Sequence, residues 1–70
     1  MTREAMGVLI RQKRIEKGLT QIEFGWKIGY TRDDPSPYIR AVESGKYYPP
    51  YNRIRAIHEV LGIDYDKLVP

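Results

Sequence analysis

Glycines and helix-capping residues divide the middle of the chain into short helices. Thr20 is followed three residues later by Glu23, which is the spacing of a capping box at a helix start. Gly29 and Gly45 stand where a left-handed residue ends a helix. Ile39 begins an apolar pattern at helical spacing between these glycines. The sequence therefore predicts two short helices joined by a turn.

Apolar periodicity predicts two longer helices on either side of this pair. The first spans about residues 3 to 17, and the other begins around Pro50 and ends at Gly62. Asp64 is a candidate cap for a final turn in which Leu68 packs. The residues expected to face inward are Met6, Leu9, Ile10, Phe24, Ile28, Ile54, Ile57 and Leu61. The first short helix would also approach a neighbouring helix at Gly25, which has no side chain.

Two charged residues extend apolar stripes and need each other. Arg14 follows Ile10 by four residues, and Glu43 follows Ile39 by four. Because an unpaired buried charge is costly, we expect an ion pair between Arg14 and Glu43 that fixes the angle between the first and third helices.

The polar residues offer little for catalysis or metal binding. His58 falls in the inner stripe of the last long helix and is expected to be buried and hydrogen-bonded, since no cysteine or second histidine completes a metal site. Ser36 and Ser44 have no histidine at helical spacing, and Asp33 and Asp34 fit helix capping better than metal binding. We expect no enzyme, cofactor or metal.

Composition fits one small domain spanning residues 1–70. The chain lacks cysteine, and its 12 Lys and Arg against 9 Asp and Glu give a net charge of +3, which is compatible with nucleic-acid binding. The longest apolar run, Met6 to Ile10, is too short for a membrane span. A cytoplasmic location is the expectation.

Five motifs occur in a fixed order along the chain. They are Ile10 to Gly18, Leu19-Thr-Gln, Glu43-Ser-Gly45, Leu61-Gly-Ile63 and Asp64 to Leu68. In this order they resemble the phage repressor and Cro type of helix-turn-helix proteins, also called the Xre family. The resemblance covers nearly the whole chain and implies a compact all-α domain of four to five helices, the same Arg14 to Glu43 pair, binding of double-stranded DNA, and a homodimer at least on DNA.

The turn before the third helix departs from this family. Nine residues, Tyr30 to Tyr38, separate Gly29 from Ile39, where about five are usual. They include Asp33-Asp34-Pro35-Ser36-Pro37. The turn is therefore expected to be enlarged by about four residues.

Phosphate contacts are expected on both sides of the third helix. The amide end of the second helix favours phosphate, and its glutamine matches one that the family uses for this purpose. Further phosphate contacts are expected from the guanidinium donors of Arg14 that its ion pair leaves free. The loop after the third helix would supply others. The expected contacts are Thr20, Gln21, Arg14, Lys46, Tyr47 and Tyr48. The tyrosines have an equal alternative, which is to cover the core from a stiff connection.

Base contacts follow from the register of Ile39. The family's base-facing positions fall on Ser36, Pro37 and Ala41, none of which forms a bidentate contact. Residues next to these positions are therefore added as candidate base contacts, and Arg32 and Arg40 are the preferred ones. The additional candidates are Arg32, Tyr38 and Arg40.

Two functions remain open at this point. The first is a transcriptional regulator, a repressor that binds a palindromic operator as a dimer. The alternative is a protein-interaction module of the antitoxin or anti-regulator type, favoured by the acidic turn and by a possible partner patch of Ile22, Trp26 and Tyr30. Against that patch, Trp26 can pack locally over Tyr30 and the turn.

Overall fold

The computed structural model describes residues 2–69, which form four α-helices and a short 3-10 helix. The helices are α1 (Arg3–Glu16), α2 (Gln21–Lys27), α3 (Ser36–Glu43) and α4 (Tyr51–Leu61), followed by the 3-10 helix Tyr65–Lys67. Residues 2–69 contain no β-strand. The predicted all-α fold is confirmed, and each predicted helix is present.

Capping residues set the helix boundaries. The Thr20 hydroxyl accepts a hydrogen bond from the Glu23 N–H at 3.0 Å, and the Glu23 carboxylate accepts one from the Thr20 N–H at 2.9 Å. This is the capping box predicted from the sequence. Gly29 and Gly45 have φ values of 96° and 80°, so each lies in the left-handed region that favours glycine after a helix.

All four helices contribute apolar side chains to one core. Its fully buried members are Met6, Ile10, Phe24, Ile28, Ile39, Val42, Ile54, Ile57, Leu61, Ile63 and Leu68. Leu9 is only half-buried at the core edge. Leu68 packs inside as expected, and Asp64 occupies the N-cap position of the 3-10 helix, although its side chain makes no capping hydrogen bond there.

Two glycines permit close contact between α1 and the end of α3. A Cβ atom on Gly7 would collide with the backbone carbonyl of Glu43. A Cβ on Gly45 would lie 2.8 Å from the Glu4 Cα. Gly25 likewise has no room for a side chain, because α3 approaches it as expected: a Cβ there would collide with the Pro35 ring at the start of α3 and lie 3.6 Å from Ile39. The first and third helices therefore meet backbone to backbone.

His58 differs from its expected place in the core. Its side chain is exposed, and Nδ1 is hydrogen-bonded to the Ile63 carbonyl oxygen at 2.6 Å. Ile57 and Leu61 lie on the buried face of α4. His58 follows Ile57 directly, so it points to the side of that face, where its ring meets Tyr65. The histidine thus ties the end of α4 to the following segment.

Candidate nucleic-acid interface

A buried ion pair holds α3 against α1. Arg14 donates from Nε to Glu43 Oε2 at 2.6 Å and from Nη2 to Glu43 Oε1 at 3.2 Å. Its Nη1 donates to the Leu19 carbonyl at 2.8 Å. The Arg14 and Glu43 side chains are only 9% and 5% exposed. The structure therefore brings together the two residues expected to pair, and this burial argues against the phosphate contact expected of Arg14.

The outer face of α3 carries the candidate base-reading residues. Pro37 and Arg40 are exposed, while Ser36 and Ala41 are half-buried. Ile39, Val42 and Glu43 face the interior. A shallow depression of about 350 Å³ runs along this face and is lined by Pro37, Arg40, Ala41, Ser44 and Lys46.

A second depression adjoins the first on the α1 side. It has a volume of about 220 Å³ and is lined by Arg11, Gln21, Arg40, Glu43 and Ser44. Because Arg40 and Ser44 line both depressions, they form the ridge between them. Arg11 is an interface candidate that sequence reasoning missed. Its place in a basic run was visible, but its position beside Gln21 depends on how α1 and α2 pack.

The beginning of α2 supplies polar groups at the edge of this surface. The capping box uses the N–H groups of Thr20 and Glu23, which leaves the Gln21 and Ile22 amides at the helix end. The Gln21 side chain donates to Glu43 Oε1 at 3.3 Å. Gln21 is therefore oriented by the buried ion pair.

The residues after α3 were expected either to contact phosphate or to cover the core, and they differ in which of these the structure allows. Lys46 is exposed beside α3. Tyr48 is half-buried against the core, and its hydroxyl donates to the Leu68 carbonyl at 2.7 Å. Tyr47 is 42% exposed, and its ring meets that of Tyr38 edge-on. Tyr48 thus has the core-covering role, whereas Lys46 is accessible.

The segment before α3 is shorter than the sequence spacing implied. Ser36, Pro37 and Tyr38 belong to the first turn of α3, so the irregular part is residues 29–35. Asp34 Oδ1 accepts a hydrogen bond from the Ser36 N–H at 2.9 Å, although Pro35 occupies the N-cap position. Hydrogen bonds from Ser36 lower the pKa of Asp34, with a small contribution from the Arg40 charge.

With this geometry established, comparison with known proteins identifies the domain. A family model described as helix-turn-helix matches residues 10–68. The chain belongs to the helix-turn-helix family of the Xre and Cro type. This is a family of DNA-binding domains, not of enzymes. No curated protein and no solved structure gives a significant match.

Two aromatic residues of this helix-turn-helix domain differ from expectation. Tyr38 was a candidate base contact, but it is half-buried and its ring stacks on Tyr30 at a centroid distance of 5.2 Å. Trp26 is 56% exposed, which argues against the alternative in which it packs down over Tyr30 and the turn. Tyr30 is half-buried against Tyr38 of α3, so Ile22 and Trp26 are the exposed members of the predicted patch. Arg32 and Thr20 are exposed, as an interface role requires.

Residues 2–69 contain no group of three or more His, Cys, Asp or Glu side chains placed to hold a metal ion. In the same range, no helix combines the length and apolar character needed to cross a membrane.

Proposed function

We propose that this helix-turn-helix domain is a sequence-specific regulator of transcription, a repressor that binds a palindromic operator as a dimer. One observation carries the proposal: the Arg40 and Ser44 ridge of α3 is exposed between two depressions with cationic outer borders. Arg11 lies on one border and Lys46 on the other. This arrangement suits a helix that enters the major groove while its flanks contact the two phosphate backbones.

Each part of the surface has its own role in this proposal. Arg11, Gln21 and the amide end of α2 contact phosphates on one side of the groove, and Lys46 contacts them on the other. Arg40 reads base edges from the ridge, because arginine donates two hydrogen bonds to guanine. Ala41 and Pro37 offer apolar contacts to thymine methyl groups, and Arg32 reaches flanking DNA from the 29–35 segment.

Glu43 makes the surface compatible with DNA despite its negative charge. Its carboxylate accepts hydrogen bonds from Arg14 and Gln21, so its charge is neutralised by a partner and only 5% of its side chain is exposed where Glu43 lines the second depression. The carboxylate of Asp34 is bonded to the beginning of α3. Negative charge near the ridge is therefore held by fixed partners.

The dimer follows from the small size of one reading helix. A single α3 of eight residues spans only a few base pairs. Two copies on half-sites roughly 34 Å apart double the contacts and require a palindrome. Shortening the spacer of a selected operator by about half a helical turn should abolish tight binding, whereas monomeric recognition would be insensitive to that change.

The decisive experiment is a titration of selected and random duplexes at two salt concentrations. A regulator should yield a selected sequence that binds about a thousandfold tighter than random DNA. Failure to enrich any sequence, with weak binding removed by salt, would contradict the proposal.

Phosphate roles can be tested in the same assay. Gln21→Ala and Lys46→Ala should weaken binding to all sequences alike, and the lysine change should lower the salt slope by about one unit. Lys27→Ala is the matched control, because Lys27 lies at the opposite end of α2 from Gln21. A change in base preference without loss of general affinity would reassign either residue.

The protein-interaction module stays as a second candidate because of one observation. Ile22 and Trp26 are 37% and 56% exposed on the same side of α2. Trp26→Ala should abolish capture of a protein partner if this candidate is right. In the regulator, the same change should leave DNA affinity intact.

A further inference from the structure

Arg53 reaches from α4 to the segment that precedes α3. Its Nη1 donates to the carbonyl of Ile28, the residue that ends α2, at 3.2 Å. Its guanidinium carbon lies 5.7 Å from the ring centroid of Tyr30 and 5.5 Å from that of Tyr38. Both distances are within the range of a cation-π interaction. One side chain thus contacts α2, the 29–35 segment and α3.

Aromatic contacts extend this arrangement beyond α3. Tyr30 stacks on Tyr38, and Tyr38 meets Tyr47 at a centroid distance of 5.4 Å with an interplanar angle of 62°. We call Tyr30, Tyr38, Tyr47 and Arg53 the Arg53 cluster. Its members come from four successive parts of the chain, and Tyr38 lies directly beside the exposed Pro37 of the reading helix.

Hydrogen bonds account for little of what holds the Arg53 cluster together. Tyr38 Oη and Arg53 Nε are both buried and have no hydrogen-bond partner among residues 2–69. Since unpaired buried groups are unfavourable, the contacts between the rings, the two cation-π contacts and the bond to Ile28 offset their cost. Lysine carries the same charge but has no planar face to lie over two rings.

The 29–35 segment has few other attachments to the rest of the domain. Tyr30 N–H donates to the Gly25 carbonyl at 2.9 Å, and Pro35 packs on Gly25. Thr31 to Asp34 between them are exposed. Arg53 links this segment to α4, and it adds to the Asp34–Ser36 hydrogen bond and the Tyr30–Tyr38 ring contact that join the segment to the first turn of α3.

We propose that Arg53 is a positioning residue for DNA readout. It does not contact DNA. It holds Tyr30 and Tyr38, and through them it sets how Arg32, Ser36 and Pro37 are presented beside the ridge of α3. This inference rests on the proposed function, because it concerns the accuracy with which the same surface reads sequence.

The first test compares Arg53→Met, Arg53→Lys and the control Arg55→Met on selected and random duplexes. Arg55 also lies on α4, but its side chain is 60% exposed and faces Glu59. Both Arg53 variants should lower the ratio of selected to random affinity by roughly tenfold, the value of one base contact, without changing the salt slope. Arg55→Met should leave the ratio unchanged.

Two outcomes of that test would overturn the inference. An unchanged ratio would remove the positioning role. A salt slope reduced by about one unit, restored in Arg53→Lys, would make Arg53 a phosphate contact instead. Loss of global stability does not imitate the expected result, because it lowers the active fraction equally for both duplexes.

A second measurement needs no DNA. Hydrogen exchange at the Tyr30 and Ser36 amides should accelerate roughly tenfold in Arg53→Met but not in Arg55→Met, with the Ile10 amide as the reference for global opening. Unchanged exchange at Tyr30 and Ser36 would overturn the inference. If the wild-type protein selects no DNA sequence, the proposed function fails, while this measurement still decides whether Arg53 holds the segment.

Discussion

The two sides of α3 are held by different kinds of interaction. Toward α1, a buried arginine and carboxylate meet at 2.6 Å, and Gly7 lets the backbones touch. Toward the 29–35 segment, Tyr38 meets the Tyr30 ring and the Arg53 guanidinium, and neither Tyr38 Oη nor Arg53 Nε has a hydrogen-bond partner among residues 2–69. Charge-assisted hydrogen bonds and close-packed backbone resist displacement more strongly than stacked rings do. The contacts with α1 therefore fix the angle of α3. The contacts on the opposite side set the position of the 29–35 segment and of the first turn of α3.

The largest expected effect concerns the α1 side. Arg14→Ala should leave the Glu43 carboxylate buried without its partner and reduce the free energy of unfolding by about 4 kcal/mol, as measured by urea denaturation. Replacing Arg14 with Met and Glu43 with Leu together should cost much less, because no unpaired charge remains.

The exposed Arg11 serves as the control for this prediction. Arg11→Ala should change stability by less than about 0.5 kcal/mol. Equal losses in the single and double Arg14 variants would show that the ion pair does not carry the difference between the two sides of α3.

The next effect tests the backbone contact. Gly7→Ala would ordinarily stabilise a helix by about 1 kcal/mol, but here the new Cβ meets the Glu43 carbonyl. We expect a net loss of about 3 kcal/mol and weaker DNA binding, because α3 must move. Gly18→Ala is the comparison, since its Cβ would meet open space while its φ of 71° still disfavours alanine. A smaller loss at Gly7 than at Gly18 would contradict a close-packed contact.

The contacts on the α1 side of α3 are also the ones that the sequence predicted. Arg14 and Glu43 each follow an apolar residue by four, and Thr20 and Glu23 form a capping box, so local periodicity was sufficient for the framework. Helix order and fold followed from these signals together with the terminal glycines.

The remaining features depend on contacts between distant segments. Arg53 meets Tyr30 across more than twenty residues of sequence, and no local pattern marks that pair. Arg11 lies beside Gln21 on the candidate nucleic-acid interface only because of how α1 and α2 pack against each other. His58 lies outside the core because a shift of one residue around a helix moves a side chain by about 100°. Sequence periodicity predicts which face of a helix is buried, but it does not decide which residues at the edge of that face are buried.

On the reading surface, the expected effects are changes of preference rather than stability. Arg40→Ala should reduce discrimination at one base position by about 2 kcal/mol, measured by binding to a set of single-base operator variants. Arg32→Ala should have a smaller effect at a flanking position, because the 29–35 segment is less firmly held. Cross-linking from position 32 to operator DNA checks its proximity. No cross-link, with normal preference in both variants, would remove the segment from the readout surface.

The smallest expected effect concerns the cap at the beginning of α3. Because Ser36 hydrogen bonds lower the folded-state pKa of Asp34, the ionised carboxylate stabilises the fold above its unfolded pKa of about 4, and this contribution is lost as the pH falls through the lower folded value. Asp34→Asn keeps an oxygen that can accept the Ser36 N–H but cannot titrate. The stability difference between wild type and Asp34→Asn should therefore shrink as the pH falls below about 5 and through the lowered folded pKa of Asp34, as followed by thermal unfolding. Asp33→Asn is the control, since Asp33 is exposed and makes no hydrogen bond to α3 in the described residues. If both variants follow the same pH profile, the Asp34 carboxylate does not hold the first turn of α3, and the weaker side of the helix would depend on the Arg53 cluster and Pro35 packing.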